Sequence, residues 1–149
     1  DLHRRRHSFP TRRSSDLLKE HLPAARQPAW TGKAPLPGGD FPQTGYEPLV
    51  SELEAEYPFM DRSLVARLVR AYGTRTRDIV RNARSMNDMG QHFGADLTAR
   101  EVQYLMDQEW ALTADDVLWR RSKLGLRLSK AQAEALDGFM RTAATSSAA

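Results

Sequence analysis

Two adjacent carboxylates, Asp115 and Asp116, are the first candidates for acid–base chemistry in this sequence. Neighbours on a helix diverge by about 100°, so the pair cannot converge on one substrate atom. Their place suits another role: Thr113 stands three residues before Asp116, the spacing of a reciprocal cap, with both acids at the positive end of a helix. Histidine offers little more. Beyond residue 17 there are only His21 and His92, far apart and without a metal-ligand partner at short spacing. His92 sits beside Phe93 in a Gly-containing loop, where a solvated or hydrogen-bonded imidazole is the ordinary state. Gly38-Gly39 lies in Pro-rich sequence with no strand before it, so it reads as a turn rather than a phosphate cradle. There is no cysteine, hence no thiol nucleophile, disulfide or cysteine-held metal, and the redox compartment stays open. No catalytic, cofactor-binding or metal-ligating set emerges.

The charged residues that do stand out need a frame to place them. Thr98 to Leu126 carries two helix starts: Thr98 with Glu101 three residues on, then Thr113 with Asp116. Only Ala111 and Leu112 separate the helices, which makes a helical hairpin. Arg120, Arg121 and Lys123 complement the second helix's negative end, and Gly125 can supply a left-handed cap. At about 100° per residue, Val102, Leu105, Met106 and Trp110 form one stripe, with Glu109 inside it. Val117, Leu118 and Leu124 form the facing stripe, with Arg121 inside that. Two opposite charges on buried faces should pair, so a Glu109–Arg121 ion pair is expected. Trp119 falls on the polar side with Lys123, which makes both candidates for docking another domain.

The rest of the chain supports this hairpin. From Gln27 to Pro48, Pro28, Pro35, Pro37, Pro42 and Pro48 alternate with Gly32, Gly38, Gly39 and Gly45, the composition of an extended linker. Helices are then expected over 48–56, 61–72 and 74–83, with Asp61 as a cap and Leu64, Val65, Leu68, Val69 and Tyr72 as one face. Residues 86–97 read as an ordered loop. Ser129 and Gln132 open the last helix, and TAATSSAA should fray. Leu18–Arg26 reads as a helix stub cut by Pro23. With no alternating run after residue 48, the fold class is all-α: about five helices around a central hairpin.

Residues 1–17, DLHRRRHSFPTRRSSDL, resemble the translation of a widely used sequencing adapter and are set aside from fold reasoning. This alters the electrostatics. Five of the 22 basic and two of the 19 acidic residues lie there, leaving 17 of each and no net charge. The high pI therefore carries no message about nucleic acid. The organisation expected is an adapter-like stretch at 1–17, a domain remnant and linker at 18–47, a helical domain at 48–143 and a disordered tail at 144–149.

In order, LPGGDF, EYPFMD, LVRAYGTRTRDI and FGADLTAREVQYLMDQEWALTADDVLWRRSKLGL resemble the C-terminal region of FAD-dependent glycerol-3-phosphate dehydrogenases and the related glycerophosphate oxidases. The resemblance runs from about Ala29 to Met140. Where that family usually reads RRTK, this chain has Arg120-Arg121-Ser122-Lys123. It implies a helical cap packed on flavin and substrate domains, in an enzyme taking sn-glycerol 3-phosphate to dihydroxyacetone phosphate and passing electrons to quinone. It also implies a cytoplasmic protein peripheral to the membrane. FAD and the catalytic residues would belong to the preceding domain, so this chain alone is expected to be inactive and to hold no cofactor. That domain would be its partner, with no nucleic acid, and with membrane contact only through the full-length protein.

Two other classes compete. LVARLVRAYGTRTRDIVRNARS has helix–turn–helix proportions, with seven Arg from Arg62 to Arg84; salt-dependent retention on DNA would mark it. A free-standing adaptor would instead bind a partner helix without any flavoprotein present.

Overall fold

The computed structural model describes residues 21–22 and 32–147, with side chains as far as Thr145. Pro35–Ala149 is one compact unit. The adapter-like stretch and the 18–26 stub lie outside the described residues, apart from His21 and Leu22, both exposed.

Helix α1, Tyr46–Glu56, buries Leu49, Val50 and Leu53. It stops where Pro58 forces the preceding Tyr57 out of the helical region, to φ −124 and ψ 68. Helix α2, Arg62–Tyr72, starts as its sequence dictates: the Leu64 amide donates to Asp61 at 2.8 Å. Leu64, Val65, Leu68, Val69 and Tyr72 are all buried on one face, which packs against α1. Gly73 ends it at φ 57. A 3₁₀ turn at Gly73–Arg75 leads into the short α3, Thr76–Val80, whose Ile79 and Val80 continue the core.

Glycine at 73 is required twice over. A Cβ there would stand 1.9 Å from the Gly38 carbonyl oxygen, and a Cβ at Gly38 would stand 2.1 Å from that of Tyr72. The two backbones are in contact, joined by the Thr74 amide donating to Gly38 at 3.1 Å. Asp40 accepts from the Thr74 hydroxyl nearby, and Phe41 packs on the core. Gly38-Gly39 does form a turn, closed by Gly39 N–H to Leu36 at 2.7 Å.

The 86–97 stretch holds more order than its composition announces. Ser85 and Asp88 cap each other reciprocally around a 3₁₀ turn at Met86–Met89. Strand β1, His92–Gly94, pairs antiparallel with β2, Leu97–Thr98. Ala95 and Asp96 between them both have positive φ, the geometry of a two-residue hairpin turn. This small hairpin buries Phe93 and Leu97 in a unit that is otherwise helical.

Helix α4, Ala99–Glu109, follows directly. After the joint at 110–113 comes a π-helical segment, Asp116–Arg121, then a 3₁₀ turn at Leu124–Leu126. Helix α5, Lys130–Ser147, opens with the expected cap: Ser129 N–H donates to Gln132 at 2.8 Å and Gln132 N–H to Ser129 at 3.3 Å. It buries Leu136 and Met140 and sets Phe139 5.2 Å from Phe93. Alanine-rich sequence sustains it to Ser147, beyond the Thr142 from which fraying is expected.

Candidate functional site

Among the described residues the most completely buried charged group is a carboxylate that sequence reading puts to another use. Glu101 is 1% exposed, and Thr98 makes no side-chain cap bond, so the expected Thr98–Glu101 capping box is absent. Glu101 turns inward because α2 offers it stronger partners. Arg67 donates through both ends of its fork, at 2.8 Å to Oε1 and 2.7 Å to Oε2, and the Tyr72 hydroxyl adds 2.7 Å to Oε1. Arg67 also donates to the Asp96 carbonyl at 2.8 Å, tying the β-turn to the same centre. Tyr104 stands edge-on to Tyr72, centroids 5.5 Å apart, and its hydroxyl accepts from Arg75 at 3.3 Å.

Burial opposes the charge on Arg67, but hydrogen bonding to Glu101 and its negative charge outweigh this and hold the guanidinium pKa above its ordinary value. Burial and the Glu101 carboxylate push Tyr72 far above the phenol range, so it remains a donor. Both Glu101 oxygens are occupied. Such a carboxylate is a crosslink between α2, β-turn and α4, not a base awaiting substrate. The available signal was Glu101 itself, which lies within the arc of Val102, Tyr104 and Leu105 on α4.

Other chemistry-bearing residues are dispersed. His92 is exposed on β1. Asp116 accepts from the Leu112 and Thr113 amides at 3.0 and 2.9 Å and from the Thr113 hydroxyl at 2.9 Å, while Asp116 N–H reaches back to Thr113 at 3.3 Å. The reciprocal cap is therefore present, and those donors lower its pKa to about 2. Among the arginines of α2 and α3, Arg62 pairs with Glu47 and Glu54, and Arg77 with Glu52 and Glu56. An open groove of about 200 Å³ is lined by Ile79, Arg81, Asn82, Arg100, Gln103 and Tyr104. It brings no carboxylate or imidazole to bear. Among the described residues no cluster has metal-ligand geometry.

The hairpin region places its predicted residues unevenly. Arg121 Nε lies 3.9 Å from Glu109 Oε2, and its direct hydrogen bond, 2.9 Å, goes to the Glu109 carbonyl. Neither side chain is buried: they are 32% and 41% exposed. Trp110 does not join the Val102–Leu105 stripe. It takes φ 56 and ψ 33, which turns the chain out of α4 and leaves the indole 83% exposed. Trp119 is half-exposed, as its place on the polar side requires, and lies over Gly125, where a Cβ would meet the indole at 2.6 Å. Gly125 is thus needed for close approach. The left-handed position belongs to Lys123, at φ 61, whose ammonium donates to the Trp119 carbonyl. Ser122, at the departure from RRTK, donates to the Val117 carbonyl at 2.6 Å.

Residues 29–147 match the family described as the C-terminal domain of alpha-glycerophosphate oxidase. A glycerol-3-phosphate dehydrogenase of Pseudomonas aeruginosa is 47% identical over 115 residues, covering 77% of this chain and 22% of that protein. A D-erythritol 1-phosphate dehydrogenase of Brucella abortus is 46% identical, covering 69% and 20%. The aerobic glycerol-3-phosphate dehydrogenase of Escherichia coli is 38% identical, covering 70% and 21%. The chain spans about a fifth of the length of these relatives. With a family match over most of its length and a helical unit capped where that sequence requires, the chain belongs to the family of the C-terminal domain of alpha-glycerophosphate oxidase.

Proposed function

We propose that this chain is the C-terminal helical cap of an FAD-dependent glycerol-3-phosphate dehydrogenase. The enzyme as a whole oxidises sn-glycerol 3-phosphate to dihydroxyacetone phosphate and passes the electrons to quinone, in the cytoplasm at the membrane periphery. The observation carrying this reading is the family match from 29 to 147 onto a unit in which the one carboxylate buried among the described residues is consumed in a crosslink. FAD does not fit here: the described residues give no Gly-rich turn between a strand and a helix to receive a pyrophosphate. The flavin and the substrate phosphate belong to the preceding portion, which is the cap's partner. Trp119 and Lys123 face it. No described helix is long and apolar enough to cross a membrane.

The test is a chimera in which residues 29–147 replace the matched region of the Pseudomonas aeruginosa relative. It should retain flavin and reduce dye with glycerol 3-phosphate, whereas the 149-residue chain alone should be colourless. Stoichiometric flavin on the chain alone, or a folded chimera that sheds its flavin, would overturn the proposal. D-erythritol 1-phosphate, named in one relative, is the substrate to run beside glycerol 3-phosphate.

A further inference from the structure

Four large apolar side chains stand out of the segment from 110 to 126. Trp110 and Leu112 are each 83% exposed, Leu126 79% and Trp119 44%. They come from one folded-back corner: Arg121 holds the carbonyl next to Trp110 at 2.9 Å, and Trp119 lies on the glycine next to Leu126. Trp110 is also in the left-handed region, which bulky side chains rarely adopt. That conformation ends α4, lets the Ala111 amide donate to the Leu105 carbonyl at 3.1 Å and buries Ala111, while the indole itself is aimed into solvent. Four large apolar side chains left exposed within 17 residues point to a surface that is covered elsewhere.

We propose that Trp110, Leu112, Trp119 and Leu126 form the face that docks onto the flavin-bearing portion of the enzyme, with Trp110 as its anchor. This rests on the cap reading above. The occupant follows from coverage: the matched family is a C-terminal domain, and about four-fifths of each relative lies outside the match. That portion is present in every copy of such an enzyme at high effective concentration. Arg120, Arg121, Lys123 and Arg127 are interleaved with the apolar residues in sequence, and Arg120 and Arg121 are paired with Asp116 and Glu109, so the receiving surface is chiefly apolar. A lipid surface is the poorer fit. Its usual ligand is an apolar stripe along one helix, whereas these four residues leave a joint, a π-helical segment and a 3₁₀ turn.

Two contexts separate docking from folding. In the 149-residue chain, Trp110→Gly should leave the thermal midpoint unchanged or raise it, because it removes an exposed ring from a strained position. Leu126→Asp should be silent there. In the chimera, either substitution should lower the temperature of flavin release by several degrees and speed proteolysis between the portions. Equal losses in both contexts would make these residues structural and overturn the assignment, as would silence in both. Self-association of the 149-residue chain abolished by Trp110→Gly in sedimentation would give the face to a second copy instead. Loss of binding to phosphatidylglycerol vesicles would give it to the membrane. An unmutated chimera that sheds its flavin overturns the cap reading and this surface together. An intact one indifferent to both substitutions overturns the surface alone.

Discussion

Arg67 and Glu101, 34 residues apart, meet through both carboxylate oxygens at 2.8 and 2.7 Å inside the domain. Removing one partner strands the other. Arg67→Ala should cost about 3–5 kcal/mol, because Glu101 is left charged and out of water. Tyr72→Phe removes one hydrogen bond to the same carboxylate and should cost about 1–3 kcal/mol. Urea unfolding of the 149-residue chain measures both, and an Arg67→Ala variant within error of wild type would show that water reaches Glu101.

Two glycines make a matched pair of opposite sign. At Gly73 an added Cβ meets the Gly38 carbonyl oxygen at 1.9 Å, with φ at 57. Gly73→Ala should therefore destabilise by about 2 kcal/mol or more, since both strain and collision arise. At Gly138, within α5, a Cβ meets nothing within 4 Å. Gly138→Ala should stabilise by about 0.5–1 kcal/mol through helix propensity. Thermal melts of the two variants side by side read the contrast.

The contact of Trp119 with Gly125 predicts coupling. Gly125→Ala alone must displace the indole, whose Cε2 stands 2.6 Å from the new methyl position, and should cost about 1–3 kcal/mol. In a Trp119→Ala background most of that cost should vanish. A double-mutant cycle giving additive effects would mean that the ring does not rest on Gly125 in solution.

Asp116 makes stability depend on acid pH in a known direction. The Leu112 and Thr113 donors lower its folded pKa from 3.8 to about 2. Stabilisation from this cap is full above about pH 4 and fades as pH falls towards 2, because the unfolded state takes up the proton first. Asp116→Asn should lower the thermal midpoint at neutral pH, and the two proteins should converge by about pH 2. Asp61 and Asp88, lowered by the hydroxyls and amides they accept from, leave the variant a shallower acid limb of the same sign.

Helix positions were legible wherever the signal was local. Asp61 before α2, Gly73 after it, Ser129 before α5 and the Thr113–Asp116 cap are all chemistry between residues a few positions apart. The stripe of α2 was legible for the same reason. Glu101 was not, because capping-box spacing is also the spacing of any Glu three residues after a Thr, and its true partner lies in another helix. The β-hairpin escaped because its turn is Ala95-Asp96, without the Asn-Gly or Asp-Gly pair that advertises such a turn. Trp110 escaped because the angular stripe assumes that the helix continues, and α4 ends one residue earlier. The spacing gave the proximity of Arg121 to Glu109 but not their exposure, which follows from that same early ending.

The contact between Gly38 and Gly73 has a mechanical consequence. Torsion applied to the polypeptide upstream of α1 is not absorbed at Gly45, where the helix begins, because the chain is already clamped at Gly38 by Thr74. A spacer of altered length inserted between Gly39 and Gly45 would pull against the clamp, because Asp40 and Phe41 are held to Thr74 and the core on one side and α1 begins at Tyr46 on the other.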